Sequence, residues 1–156
     1  MALRGFSLIE LVAALIIAAV LAAVLAPRFI GRSGFSAQTT ADQLLAAIRY
    51  AEALTQNQGV PTSLTVGSTS FSVTQTTGGV TAPVANPSLQ PATFVVALPA
   101  GVTVSPAATV TFNRPGAPFV AAPTTFMVTG GGSTVAVYVT ASGYAYECRR
   151  GGACPP

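Results

Sequence analysis

The sequence predicts an α+β fold, in which a long N-terminal helix packs on an antiparallel β-sheet. Residues 6–26 form an apolar run whose one charged side chain is Glu10. After Thr40, apolar residues recur at helical spacing as far as Gly59. From Pro61 onward, apolar and β-branched residues form short or alternating runs, which are typical of strands. A helix and a sheet that each have an apolar face are stable when those faces are packed together.

The apolar run over residues 6–26 is long enough to span a membrane. As a helix rising about 1.5 Å per residue it would measure roughly 31 Å, close to the thickness of a bilayer's hydrocarbon core. A charged carboxylate such as Glu10 is unfavourable there by about 2.5 to 3.5 kcal/mol, so it needs a partner. A cut between Gly5 and Phe6 would supply one, because Phe6 would then have a free amine about one helical turn from Glu10.

Two simpler interpretations fit this stretch less well. A secretory signal peptide has an apolar core of roughly 7 to 15 residues, which is shorter than this run. The best small-x-small cleavage site in this run is residues 24–26. It is followed by Pro27, and a proline directly after a cleavage site is unfavourable for cleavage. A plain membrane anchor would have the apolar length, but it would need neither Glu10 nor a leader that ends at Gly5.

Residues 27–59 predict an amphipathic helix, with a kink expected at Pro27 because proline removes a backbone donor. Thr40 followed three residues later by Gln43 is typical of a capping box, which predicts a helix start at Thr40. Gly59 is expected to end the helix. Its apolar stripe is predicted to consist of Ala41, Leu44, Leu45, Ile48 and Ala51.

Residues 60–156 predict an antiparallel β head. The predicted strands are 63–66, 70–74, 93–98, 109–112, 125–129, 134–140 and 144–148. Glycines between several of these runs predict tight turns, so the last three strands are expected to form a meander. Proline-rich segments around residues 83–91 and 115–123 are expected to be exposed loops.

The composition argues against an enzyme. Charged residues make up only 7% of the 156 residues, histidine is absent, and the net charge is +3. Histidine is the usual general base and a common metal ligand, and no two of the four acidic residues are close in sequence. No glycine-rich phosphate loop is present either. The sequence therefore predicts a non-enzymatic protein without a metal or a cofactor.

The C-terminus contains both cysteines, Cys148 and Cys154. In an oxidising compartment they would close a short loop whose two glycines allow the bend, so a disulfide is predicted, with free thiols as the alternative. A metal site would need more ligands than two sulfurs. Within the loop, Arg149 and Arg150 either keep the chain end solvated or contact another subunit or the phosphates of DNA.

The N-terminal stretch resembles the processing site of type IV prepilins and type II secretion pseudopilins. The resemblance rests on a short basic leader over residues 1–5, on Gly5 before the cut, on Phe6 after it, and on Glu10 as the fifth residue of the mature chain. It implies that a prepilin peptidase cleaves after Gly5 and methylates the Phe6 amine. It also implies that Glu10 pairs with the Phe6 amine of an adjacent subunit during filament assembly.

Within that family, the chain is most similar to H-type pseudopilins and to minor pilins of mannose-sensitive haemagglutinin type pili. The segments that support this are 26–29, 34–37, 42–44, 48–51 and 143–148. The resemblance implies a pilin-like fold and a structural subunit of a type IV pilus or a type II secretion pseudopilus. Such a subunit crosses the inner membrane once, with its head in the periplasm, before it joins the filament. The implied partners are other subunits, the prepilin peptidase, the membrane and an inner-membrane assembly platform.

Two other functions are compatible with the sequence. In one, the head is a tip module that binds DNA or a surface ligand and the filament only presents it. In the other, the chain is a membrane-anchored β domain that never polymerises. Gel shifts of the head across a salt series would detect the first, because binding to phosphates weakens as salt rises.

Overall fold

The computed structural model describes residues 8–30, 32–87, 93–113 and 120–148. Helix α1 spans Leu8–Ile30 and helix α2 spans Arg32–Gln58. The strands are β1 (Thr62–Val66), β2 (Ser70–Thr77), β3 (Val80–Pro83), β4 (Val95–Ala97), β5 (Val102–Ser105), β6 (Ala108–Phe112), β7 (Thr124–Gly130), β8 (Ser133–Val139) and β9 (Ala145–Cys148). The chain divides into two compact units, Met1–Arg32 and Ser33–Pro156, and all the strands belong to the second.

The strands form two antiparallel sheets rather than the single sheet that the sequence predicts. The five-stranded sheet has the order β3-β2-β1-β6, with β4 also paired to β2. The four-stranded sheet has the order β5-β7-β8-β9. The last three strands therefore form the predicted meander. Both sheets contribute to one hydrophobic core. The strands of either sheet therefore show the same alternation of buried and exposed residues, and this alternation does not indicate that the strands belong to two sheets.

One edge of the five-stranded sheet is a strand in two pieces. Strands β3 and β4 both run antiparallel to β2 and pair with its two ends. Where the two pieces meet, at a junction that we call the neck, the Phe94 amide donates to the Val84 carbonyl oxygen at 2.7 Å. Ala85 and Thr93 form an antiparallel bridge at the same neck. The chain thus leaves an edge strand and returns to continue in the same direction.

Two predicted turns are tight hairpins that need glycine. Gly78 and Gly79 connect β2 to β3 with φ of 60° and 83°, and Gly131 and Gly132 connect β7 to β8 with φ of 57° and 77°. Positive φ at both central residues is the signature of a type I′ turn, whose twist matches that of the flanking strands. Glycine adopts these angles without steric cost.

Helix α2 packs the apolar stripe predicted for it into the core of the head. Ala41, Leu44, Ile48 and Ala51 are fully buried, and Leu45 is partly buried against the same core. The fully buried residues with the largest side chains are the phenylalanines of three strands: Phe71, Phe112 and Phe126.

The predicted start of this helix is wrong. Helix α2 begins at Arg32, so Thr40 lies inside it and cannot be its N-cap. The Thr40 side chain is buried, and its hydroxyl donates to the Ser36 carbonyl oxygen at 2.8 Å, one turn earlier in the helix. A threonine in a helix interior often satisfies its hydroxyl in this way. The spacing of Thr40 and Gln43 therefore does not mark a capping box.

Two short strands, β3 and β5, were not predicted. All four residues of β3 are exposed, and its last residue, Pro83, was assigned to a loop. A proline is compatible with this position because β3 is an edge strand, where a missing amide donor is tolerated. Strand β5 does show alternation, since Val102 and Val104 are buried while Thr103 and Ser105 are exposed. That alternation was a signal that sequence reasoning could have used.

Helix α1 continues through Pro27 and ends at Ile30. Within the residues that the structure describes, no helix combines the length and the apolar character needed to cross a membrane. The span predicted for residues 6–26 begins before the described residues, and it stays a prediction.

Candidate functional site

The described surface of α1 is apolar and solvent-exposed. Large apolar side chains from Leu8 to Leu21 have exposed fractions between 42% at Val12 and 80% at Leu8. Removing such a side chain from water is favourable by about 1.5 to 3 kcal/mol. This surface is thus suited to burial in an apolar environment.

Glu10 is the one charged residue on this part of α1. It lies in the first turn of the helix and is exposed, as are the apolar side chains on both sides of it. Its predicted partner, the amine of Phe6, lies outside the described residues, as does Gly5. The pairing of Glu10 with Phe6 therefore stays a prediction.

In the head, a groove of about 570 Å³ lies between α2 and the split edge strand. It is lined by Gln43, Ala46, Tyr50, Asn86, Pro87, Phe94, Val95, Val96 and Ala97, and none of these residues carries a charge. Tyr50 connects the two walls. Its ring stacks on Phe94 with centroids 5.4 Å apart, and its hydroxyl donates to the Ala85 carbonyl oxygen at 3.3 Å. Tyr50 therefore fixes the neck of the split edge strand to α2.

The outer face of the five-stranded sheet carries hydroxyl groups that bond across the strands. The Ser63 and Thr111 hydroxyls are 2.9 Å apart, and those of Thr65 and Thr109 are 3.1 Å apart. These pairs link β1 to β6 on the side opposite the buried residues of both strands. Cross-strand hydroxyl pairs of this kind contribute modestly to sheet stability.

The outer face of the four-stranded sheet carries a cluster of tyrosines, which we call the tyrosine face. Tyr138 of β8 is directly opposite Tyr146 of β9, with ring centroids 5.4 Å apart. Tyr144 lies beside Tyr146, at a centroid distance of 5.9 Å, and 59% of it is exposed. Arg149 and Arg150, the residues of the predicted disulfide loop that were considered as contacts to another subunit or to DNA, are outside the described residues.

Glu147 lies on the inner side of the same sheet. It is opposite Val137, whose side chain is fully buried, and its carboxylate accepts a hydrogen bond from the Gln38 side chain at 2.6 Å. Gln38 belongs to α2, so this contact joins the first half of the helix to the edge strand β9. No sequence pattern indicates this pair, because its members are 109 positions apart.

Glu52 is the acidic residue of α2 whose ionisation the fold disfavours. Partial burial raises the pKa of its carboxyl, while the charge of Arg49 and a hydrogen bond from Gln56 act in the opposite direction. The Gln56 side-chain amide donates to the Glu52 carboxylate at 3.2 Å. Burial is the largest of these effects, so the pKa is raised overall.

The described part of the chain does not assemble a group of metal ligands. Among those residues, no three His, Cys, Asp or Glu side chains lie close enough together to hold a metal ion. Cys148 is half-buried at the end of β9, and Cys154 is outside the described residues. The disulfide between them stays a prediction.

A family model matches the chain. It is the model of type II transport protein GspH, and it matches residues 40–143, more than half of the 156-residue chain. The match covers most of α2 and the strands from β1 to β8, and it includes neither Glu10 nor Cys148. No curated protein matches the chain significantly, and no solved structure does.

Proposed function

The chain belongs to the GspH family of type II transport proteins, and we propose that it is a minor structural subunit of a type II secretion pseudopilus. The observation that supports this most is the family match over the head. A second support is the exposed apolar surface of α1, which is suited to packing among the helices of a filament. No enzymatic activity is part of the proposal.

In this proposal, the N-terminal segment serves first as an anchor and then as an assembly helix. Residues 6–26 cross the inner membrane, and the head lies in the periplasm. The prepilin peptidase cleaves after Gly5 and methylates the Phe6 amine. The assembly platform then moves the subunit into the pseudopilus, where apolar helix contacts replace lipid contacts.

Glu10 has a specific role in this assembly. A carboxylate within an apolar bundle is unfavourable unless it has a partner of opposite charge. The amine of Phe6 from the neighbouring subunit supplies that partner and sets the axial position of one helix relative to the next. Glu10 is exposed on α1, so its carboxylate is accessible to the amine of a neighbouring subunit.

The periplasm also favours the predicted disulfide. We propose that Cys148 and Cys154 are bonded there, since an oxidising compartment preserves short-range disulfides. Intact mass before and after thiol alkylation, with and without reduction, tests this independently of assembly. Alkylation of both cysteines without reduction would show that they are free thiols.

Substitution at Glu10 tests the assembly role. Glu10→Gln removes the charge and preserves the shape of the side chain, and Leu11→Ala is a matched change of an apolar neighbour. We expect Glu10→Gln to be cleaved normally but to be lost from sheared pseudopili, whereas Leu11→Ala is incorporated. The two measurements are the intact mass of the membrane-bound chain and the amount of the chain in the pseudopilus fraction.

Two results would contradict the proposal. Normal incorporation of Glu10→Gln would show that no charge pair is needed. An uncut chain beginning at Met1, found both with and without the prepilin peptidase, would remove the processing step and with it the free amine of Phe6.

A further inference from the structure

The groove between α2 and the split edge strand lies beside an unpaired edge of the five-stranded sheet. Strand β4 pairs with β2 on one side. Among the described residues, no strand pairs with its other side, which we call the outer edge of β4. All three residues of β4 line the groove, whereas no residue of β2 does. The groove therefore borders the outer edge.

The hydrogen bonds of β4 determine which of its backbone groups point to the outer edge. The Phe94 carbonyl oxygen accepts from an amide of β2 at 3.1 Å, and the Leu98 amide donates to the Thr69 carbonyl oxygen at 2.8 Å. In an antiparallel pair, residues that bond to the neighbouring strand alternate with residues whose amide and carbonyl point away from it. Val95 and Ala97 therefore direct their backbone groups to the outer edge.

The outer edge of β4 lacks the protection that edge strands usually have. Edge strands are commonly protected from pairing by prolines or charged side chains. At the same margin of the sheet, β3 ends in Pro83, which has no amide to donate to an added strand. Strand β4 contains neither a proline nor a charged residue. The Val95 amide is bonded to the Thr93 carbonyl oxygen at 2.8 Å, so the Ala97 amide is the donor available to an added strand.

The opposite wall of the groove is a stripe along α2. Gln43, Ala46 and Tyr50 are three and four positions apart, so they lie on one face of the helix. Gln43 and Ala46 are exposed, and Ala46, in the middle, has the smallest side chain of the three. Because no lining residue carries a charge, a charged side chain that entered the groove would lose water without gaining an opposite charge. An uncharged occupant matches both walls.

We propose that the groove binds an extended, uncharged segment of another protein, which pairs with the outer edge of β4 as an additional strand. Backbone hydrogen bonds to Val95 and Ala97 hold the segment along β4. Its side chains alternate between the two faces of the extended sheet, so every second one points toward the stripe of α2. The inference goes beyond the proposed function, because it assigns a binding site and the form of the segment that fits it.

Amide hydrogen exchange of the full-length chain in detergent tests the proposal, with adjacent residues as test and control. In the free chain, we expect the Val96 amide, which faces β2, to exchange slowly and the Ala97 amide to exchange rapidly. The probe is a peptide of about six alternating valines and threonines with both ends blocked, the usual length of a strand. At saturation it should slow exchange at Ala97 several-fold and leave Val96 unchanged.

Two N-methylated versions of the peptide test whether its backbone forms the contact. One version carries the methyl groups on the valine amides and the other on the threonine amides. Amides of alternate residues point to opposite edges of a strand, and only one edge of the added strand faces β4. We therefore expect one version to lose the protection of Ala97 and the other to retain it.

Variants of the chain test the two walls separately by calorimetric titration with the same peptide. Ala97→Pro removes an amide that is not bonded to β2, and proline is tolerated on an edge strand. The loss of this hydrogen bond should weaken binding by roughly tenfold. Ala46→Glu places a charge in the groove and should also weaken binding, whereas Ala46→Ser, a small uncharged change at the same position, should not.

Several results would overturn the inference. Slow exchange of Ala97 in the free chain would mean that another segment of the chain already pairs with the outer edge, and protection that falls on dilution would assign that place to a second copy. Failure of the unmodified peptide to bind, or equal binding by both methylated versions, would exclude strand addition. These measurements do not depend on secretion or filament assembly, so the inference can fail while the proposed function holds.

Discussion

Glu52 shows how one partly buried carboxyl makes the stability of the head depend on pH. Its pKa in the folded chain is raised above the ordinary value of 4.5, chiefly by burial. The fold therefore favours the protonated form. This stabilising contribution is present below the ordinary pKa of the unfolded chain, and it is lost as the pH rises through the higher pKa of the folded chain.

The variant Glu52→Gln should remove this pH dependence. Glutamine resembles the protonated acid, so the variant should match the parent at pH values below the ordinary pKa of Glu52. At neutral pH it should be the more stable of the two, because it avoids the cost of a charged carboxylate at a partly buried position. Urea unfolding midpoints of both chains across a pH series measure the difference, and a parent that is the more stable at neutral pH would contradict the expectation.

At the scale of single residues, the sequence predicted which residues of α2 are buried, but it did not predict which residues contact each other. The apolar stripe of α2 was predicted because its spacing depends only on helix geometry. The hydrogen bond between Gln38 and Glu147 was not predicted, because no local pattern links two residues that only the tertiary fold brings together. Thr40 was misassigned because a threonine hydroxyl accepts from an amide ahead of it at an N-cap and donates to a carbonyl behind it inside a helix, and the sequence does not distinguish these two positions.

At the scale of elements, the hairpin between β7 and β8 depends on the backbone of its glycines. Gly132 has φ of +77°, and a Cβ placed there would meet no atom within 4 Å. A substitution at this position therefore tests backbone conformation without a steric clash. The cost of placing an alanine in this left-handed region is about 1 to 2 kcal/mol.

We expect Gly132→Ala to lower the free energy of unfolding of the head by about that amount. Gly132→Asn is the matched control, since asparagine tolerates the left-handed region and should be destabilised less. Chemical denaturation of the three chains gives the order. Equal stability of the alanine and asparagine variants would show that the turn relaxes to another conformation.

The sequence predicted the elements that have their own pattern of apolar residues and turn glycines. It did not predict the elements that form only because a neighbouring strand offers a pairing edge. The meander was predicted because glycine turns separate three apolar strands. Strand β3 has no buried residue and exists because β2 offers it a pairing edge, which a sequence pattern does not encode. The division into two sheets likewise follows from pairing partners and not from the strands themselves.

At the scale of the whole molecule, the head has the features of an independent folding unit. Residues 33–156 form a separate compact unit that contains both sheets and the core cluster. We therefore expect a chain of residues 33–156 to unfold cooperatively and to have the same thermal midpoint as the head of the full chain in detergent. Circular dichroism of both chains measures this. A truncated chain without a cooperative transition would show that the N-terminal unit is needed for folding.

Two different parts of the chain indicate the same family. The resemblance seen in the sequence was strongest in the first 60 residues, around Gly5, Phe6 and Glu10, and only general in the head. The family match covers residues 40–143 and includes none of those three positions. Chemistry near the N-terminus was predictable because processing and charge pairing require specific residues at fixed spacing. The head contains no comparable motif, because many sequences can form a sheet packed on a helix.

Because its edge strand is in two pieces, the fold should accept insertions between β3 and β4. Because β3 and β4 continue in one direction along β2 and Tyr50 fixes the neck between them, the length of chain between Asn86 and Thr93 is not set by the pairing of the sheet. The entropy cost of lengthening such a loop grows only slowly with its size. We expect a peptide tag inserted between Asn86 and Thr93 to leave the pairing of β3 and β4 with β2 unchanged. For the same reason, we expect related proteins to differ in length at this point while the packing of the core stays the same.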